Sequence, residues 1–234
     1  MSPNIYPTIS SEELGWLSEE QMVEVDRVMI EDLKIELIQM MENAGRNLAR
    51  VVLDLLKPAS VIVYAGSGGN GGGGLVAARH LANAGVEVAI TLTRQADQLS
   101  GVPGHQLDIL QRMGITTTAP GHSDVAIDAL IGYSLRGAPT GHTAALIEQI
   151  PRTADAVVSL DTPSGLNVTT GEVPGVVVVA DATLTLALPK LGLREASEVG
   201  ELYVGDISIP PQVMSQVGAR PPNFADSPIL RVTR

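Results

Sequence analysis

The chain has 234 residues, 44% hydrophobic and 18% charged, enough for one sizeable core and about one α/β domain, with no room for a second full-sized catalytic domain. Its 26 acidic against 15 basic residues give a formal net charge of -11, which repels nucleic-acid backbones and anionic membrane surfaces. There is no cysteine, which excludes disulfides, thiolate metal sites and a cysteine nucleophile, and the 3% aromatic content leaves little for base stacking.

In chain order, the opening Met1 to Pro7 has no basic region followed by an apolar stretch, and the later apolar runs are of strand length. A soluble, cytoplasmic protein is expected. Ser18-Glu19-Glu20 ahead of Met22, Val25, Val28 and Met29 predicts a capped amphipathic helix, because a serine cap and early acids suit a helix N-terminus. A second helix is predicted over about Leu37 to Leu56. Short β-branched or apolar runs then predict strands at Val61–Val63, Val86–Leu92, Ala126–Leu130, Ala156–Leu160, Val176–Val179, Thr183–Leu188 and Leu202–Ile207. Helical periods at Leu75–Ala84, His105–Met113 and Ala144–Ile150 separate the earlier strands. This alternation predicts a largely parallel sheet covered on both faces. No internal repeat is visible, and the tail from Pro210, with Pro221-Pro222 and Pro228, is predicted to be irregular and poorly anchored.

The densest chemical signal is Ala65-Gly66-Ser67-Gly68-Gly69-Asn70-Gly71-Gly72-Gly73-Gly74, between an apolar strand and a helix predicted to begin near Leu75. Glycines admit a phosphate close to the backbone, and the helix N-terminus offers free N–H groups. Gly66, Gly68 and Gly71 match G-x-G-x-x-G, but a dinucleotide-binding dehydrogenase wants an acid about 20 residues on, where this chain has Thr93 and Arg94. Asp128 and Asp161 stand at strand ends, and in a parallel sheet such ends open on one edge. Either alone is as well explained by capping its own turn; the pair beside a glycine loop points to one crevice. Asn70, Asp128 and Ser164 form an all-oxygen set suited to a hard cation rather than zinc or copper. The histidines, His80, His105, His122 and His142, lack ligand spacing and read as solvated or structural, and Met40 and Met41 read as core packing.

Met41-Glu42-Asn43-Ala44-Gly45, the run from Gly66 through Leu81, the segments around Asp128 and Asp161, Pro189-Lys190-Leu191-Gly192 and Tyr203 through Pro210 together resemble the NAD(P)H-hydrate epimerase family, the YjeF N-terminal domain. The resemblance is collinear from about Leu17 to Pro210. It implies one domain over residues 1–234 with that core, as a Rossmann-like three-layer αβα sandwich with a largely parallel central sheet. It implies an isomerase of nicotinamide nucleotide repair, often a homodimer, that interconverts the R and S epimers of hydrated NADH or NADPH and holds one potassium ion per subunit. No room is left for the hydrate dehydratase domain that some members carry in fusion, so a separate dehydratase is the implied pathway partner.

Carried over by position, the potassium ligands fall on Asn70, Asp128 and Ser164. One ligand loop falls on Gly69, Asn70, Gly71, Gly72 and Gly73, and a second on Gly132, Tyr133, Ser134, Leu135, Arg136, Gly137 and Ala138. Asp161 falls on the aspartate that acts at the nicotinamide. Arg136 adds a cation suited to phosphate. Gly73 stands where the family has an aspartate, and it carries the alternative reading, a noncatalytic nucleotide-binding or protein-scaffold module on the same fold.

Overall fold

The computed structural model describes residues 5–233. Eight strands, β1 (Thr8–Ser10), β2 (Ser60–Ala65), β3 (Glu87–Leu92), β4 (Ser123–Ala129), β5 (Ala154–Leu160), β6 (Ala182–Leu186), β7 (Glu201–Gly205) and β8 (Ile229–Thr233), form one sheet in the order β1-β8-β7-β6-β5-β4-β2-β3. Every neighbouring pair is parallel except β7 and β8. Among the described residues the α-helices are α1 (Glu19–Arg27), α2 (Leu37–Leu56), α3 (Gly69–Asn83), α4 (Gly101–Arg112), α5 (Gly141–Gln149) and α6 (Pro211–Gln216).

Alternation along the strands divides the core. Val61, Val63, Ala65, Val125, Ile127 and Ala129 face the layer built from α1 to α4, whereas Ile62, Tyr64 and Ala126 face Leu146 and Ile147 of α5. The fold is therefore the expected three-layer α/β arrangement. The chain passes from β2 outward to β3 and then back across to β4 on the other side of β2. That reversal opens a crevice at the carboxyl ends of β2 and β4, the usual place for a ligand in such sheets.

Helix α1 begins as its sequence predicts: Ser18 Oγ accepts from the Gln21 N–H at 3.3 Å while Gln21 Oε1 accepts from the Ser18 N–H at 2.9 Å. Three local expectations are corrected. Val176–Val179 is not a strand: the place beside β5 is taken by β6, only Val178 is buried in the small core cluster, and Val179 is 66% exposed. A four-residue apolar run has too little periodicity to separate a strand from a packed coil. The tail is not irregular either. It forms α6 and then β8, whose Ile229, Leu230 and Val232 are buried and whose Arg231 pairs with Glu201 at 3.1 Å. The start of the chain adds β1 alongside it, with Thr8 opposite Arg231.

The third correction concerns the glycine run: only Gly66 to Gly68 form a turn ahead of the helix, and from Gly69 onward the run is the first turns of α3 itself, which begins six residues before Leu75. Its glycines answer to packing. A Cβ on Gly71 would lie 1.9 Å from the Gly66 carbonyl oxygen, and a Cβ on Gly45 of α2 would lie 2.4 Å from that of Gly73. Backbone therefore rests on backbone where α2 crosses α3, a helix pair that also brings Met41 and Ala44 against Gly73. No helix of the described residues is long and apolar enough to cross a membrane.

This packing predicts that Gly45→Ala lowers the stability by about 1–3 kcal/mol through overpacking against backbone that cannot yield. Gly68→Ala, whose Cβ would meet nothing within 4 Å, should change it by less than about 0.5 kcal/mol. Paired urea unfolding curves of the two variants check the difference.

Candidate active site

A cavity of about 730 Å³ lies at the carboxyl edge of the sheet, walled by the turn after β2, the start of α3, the loop after β4, the end of β5 and the inner face of α1. Its size suits a small organic ligand or cofactor. Helix α3 opens into it with no side chain capping its N-terminus, and Ser67, Gly68 and Gly69 lie on the wall. Free N–H groups and the positive end of the helix dipole make this a place for an anionic group. Arg94, which stands where a dehydrogenase would want its acid, is on the same wall.

Asp161 follows β5 directly and forms part of the cavity floor, 4% exposed and in the left-handed region at φ 67°. Its backbone N–H donates to the Leu184 carbonyl at 2.7 Å, tying this turn to β6. Its Oδ2 accepts from the Tyr133 N–H at 3.1 Å, and its Oδ1 is ion-paired with the ammonium of Lys190. Lys190 is completely buried and donates also to the Leu186 carbonyl at 2.9 Å and Thr185 Oγ1 at 3.2 Å. All three donors of the ammonium are used.

Asp128, on β4 between Tyr64 and Ser159, is fully buried and does not reach the cavity wall. Its carboxyl accepts from Ser164 Oγ at 2.6 Å, the Ser164 N–H at 2.8 Å, Ser159 Oγ at 2.9 Å and the Leu130 N–H at 3.2 Å. Among the described residues no cationic side chain pairs with it. Burial pushes its pKa above the ordinary carboxylate range, against the pull of those four donors. Ser164 in turn accepts from the Ile131 N–H at 2.9 Å, so Asp128 supports the loop after β4 from beneath.

Asn70 meets the same loop from α3. Its Nδ2 donates to the Leu160 carbonyl at 3.1 Å, its Oδ1 is buried without a partner, and Gly132 lies against it. A buried amide oxygen left unpaired in a native fold calls for a donor or a cation.

The structure thus brings Gly69, Asn70, Gly132, Tyr133, Ser134, Leu135, Arg136, Ala138 and Asp161 to one cavity. Gly71, Gly72, Gly73 and Gly137 are not on its wall. A Cβ on Gly73 would point at Leu160 Cδ2, 2.8 Å away, and at Met41 and Ala44. Arg136, on the cavity wall and largely exposed, is paired with Glu19 at 2.7 Å.

Two residues of this cluster escaped the reading of the sequence. Lys190 follows β6 in a Pro-Lys-Leu-Gly segment whose local pattern gives no sign of a buried charge. Asp26 lies four residues after Met22 and three before Met29, both buried, which sets a carboxylate in the apolar stripe of α1. That misplaced charge was the available signal.

The buried pair generates a test. Lys190→Met should cost about 3–5 kcal/mol, because it leaves the Asp161 charge without its partner. Adding Asp161→Asn to that variant should recover part of the loss, and chemical denaturation of the single and double variants measures both.

The profile of the family described as YjeF-related protein N-terminus matches residues 37–192. The NAD(P)H-hydrate epimerase of Dehalogenimonas lykanthroporepellens is 47% identical over 208 residues, covering 85% of this chain and 84% of its own length, and that of Truepera radiovictrix is 40% identical over 84% and 91%. The bifunctional NAD(P)H-hydrate repair enzyme Nnr of Hyperthermus butylicus is 41% identical over 79% of this chain but only 37% of its own length. The crystal structure of the yeast protein ynu0 superimposes with a TM-score of 0.82 at 23% identity over 92% of this chain and 99% of that one, a likeness of fold. From the family match and these identities, the chain belongs to the YjeF-related N-terminal family.

Proposed function

We propose that this protein is an NAD(P)H-hydrate epimerase, an isomerase that interconverts the R and S epimers of hydrated NADH and NADPH. The observation that carries the reading is Asp161, a carboxylate held at positive φ on the cavity floor between the Tyr133 N–H and the Lys190 ammonium. Strained, charged and over-determined positions of this kind gather where chemistry is done. The identities of 47% and 40% to proteins named for that activity support the same reading.

The reaction asks for modest machinery. The hydrated ring carbon carries a hydroxyl and the ring nitrogen, and it becomes planar by losing the hydroxyl to an iminium or by opening the ring. Return from the other face inverts it. Asp161 moves the proton at that carbon, the N-terminus of α3 with Arg94 receives the phosphates, and the loop from Gly132 to Ala138 closes over the ligand. No hydride acceptor is involved.

A potassium ion belongs to the proposal. Asn70 Oδ1, unpaired and buried, supplies the donor, and Asp128 and Ser164 supply the charge and the hydroxyl around the Ile131–Gly132 turn. When bound, the ion offsets the buried charge of Asp128 and holds the two ligand loops together. The alternative that Gly73 suggests, a noncatalytic module, is outweighed by the 47% and 40% identities to proteins named NAD(P)H-hydrate epimerase. A cytoplasmic homodimer completes the reading.

Incubation of the protein with the separated R epimer, followed by chromatography, should show S epimer forming faster than in buffer alone. Asp161→Asn should slow that conversion at least about a hundredfold. A wild-type rate equal to the spontaneous one would refute the function. Replacing potassium by tetramethylammonium should lower the melting temperature, and Asn70→Ala should abolish the difference between the two buffers; equal melting curves for the unaltered protein would remove the ion.

A further inference from the structure

Inversion sets a geometric demand that one carboxylate does not meet. If the hydroxyl leaves from one face of the ring and water returns to the other, one proton must be given on the first face and one taken on the second. Asp161 reaches one of them. The cavity contains another carboxylate, Asp26 of α1, and Tyr133 connects the two: its backbone N–H donates to Asp161 Oδ2 at 3.1 Å and its hydroxyl donates to Asp26 Oδ2 at 2.6 Å. The ends of a single residue therefore hold two carboxylates apart on different parts of one wall.

We propose that the Tyr133 hydroxyl, backed by Asp26, is the second proton-transfer centre of the site, serving the face of the hydrated ring that Asp161 does not. The inference rests on the epimerase reading above.

The partners of the two carboxylates assign their roles. Asp161 faces the ammonium of Lys190 and acts as the carboxylate base. Asp26 has no ion pair among the described residues, and the phenol is its hydrogen-bond partner. Burial, and after it the charge of Asp161, raises the Asp26 pKa above the usual carboxylate range, although the Tyr133 hydrogen bond and Lys190 oppose the shift. Burial and the neighbouring Asp26 carboxylate also push the Tyr133 hydroxyl well up, which keeps it protonated.

The step balances. With Asp26 in its acid form the 2.6 Å bond runs the other way, the carboxyl donating to the phenol oxygen; the C–O bond breaks with its electron pair on oxygen, the Tyr133 proton converts the departing hydroxyl to water, and the Asp26 proton passes to the phenol in its place. The ring-nitrogen lone pair forms the iminium. Water then adds from the other face, its oxygen supplying the electrons of the new C–O bond, and Asp161 takes the released proton. One proton passes from Asp26 to Asp161 per inversion, exchange with bulk water resets the pair, and the reverse epimerisation runs the same groups backwards. Tyr133 touches the reacting oxygen and is catalytic; Asp26 is its positioning and proton-supplying partner.

The test uses Tyr133→Phe, Asp26→Asn, Asp26→Glu and the double variant Tyr133→Phe with Asp26→Asn, with the conversion of the separated R epimer as readout and calorimetric binding of NADH as the control. Each single loss should lower kcat about a hundredfold with NADH affinity within about threefold of wild type. The double variant should be no slower than the slower single one, because both remove the same relay, and Asp26→Glu should restore part of the rate. A kcat within about threefold of wild type in both single variants, or losses that multiply in the double variant, would overturn the proposal. Should Asp26→Asn fail to fold, Tyr133→Phe decides alone, since it keeps the backbone bond to Asp161 and the ring. A wild-type protein with no rate above the spontaneous one would instead sink the epimerase reading itself.

Discussion

An ammonium and a carboxylate taken out of water cost several kcal/mol each unless they find one another and the rest of their hydrogen-bonding capacity is met. Lys190 and Asp161 meet that condition, and much of the site's geometry follows from how it is met. The ammonium spends its other two donors on Thr185 and on the Leu186 carbonyl, which ties the segment after β6 to the end of β5. Asp161 accepts from Tyr133 across the crevice, which ties in the loop after β4. The left-handed backbone at Asp161, and at Ala187 nearby, stores about 1–3 kcal/mol each and persists because these bonds over-determine it. The pair places a charge at the cavity floor.

A second buried charge organises the other half of the edge. Asp128 has hydroxyls and N–H groups around it but no cationic side chain, and through Ser164 it holds Ile131, next to Gly132 and Tyr133. The two aspartates work at different depths: one forms the floor that a ligand meets, the other fixes the loop that would cover it. Asn70 stands between them, bonded to the end of β5 and packed on Gly132.

The glycine run shows how one sequence feature answers two demands. Read alone, it is a phosphate-binding loop, and its first members do frame an uncapped helix end open to the cavity. Its later members lie inside α3, where a Cβ on Gly71 would meet the Gly66 carbonyl oxygen at 1.9 Å and one on Gly74 would meet Ala129 of β4 at 2.5 Å. Close packing of α2, α3 and β4 is what aims the N-terminus of α3 at the crevice. Gly73 belongs to this packed portion, against Leu160, Met41 and Ala44.

The sequence by itself determined the helices of the first half, the succession of parallel strands, and the meeting of Asn70, Asp128, Asp161 and Ser164 at one edge, because amphipathic period, β-branched runs and caps are local and a parallel sheet collects its strand ends. It also contained the mark of Asp26, a carboxylate among buried methionines. Only the tertiary structure decided the rest. The pairing of β1 with β8 joins residues more than two hundred positions apart, and the tail's short ILRVT run became a strand because an antiparallel place beside β7 was open to it. The partners of Lys190 and Tyr133 were equally hidden, since they come from elements that local pattern cannot bring together, and a buried charge declares its function only through the group that faces it.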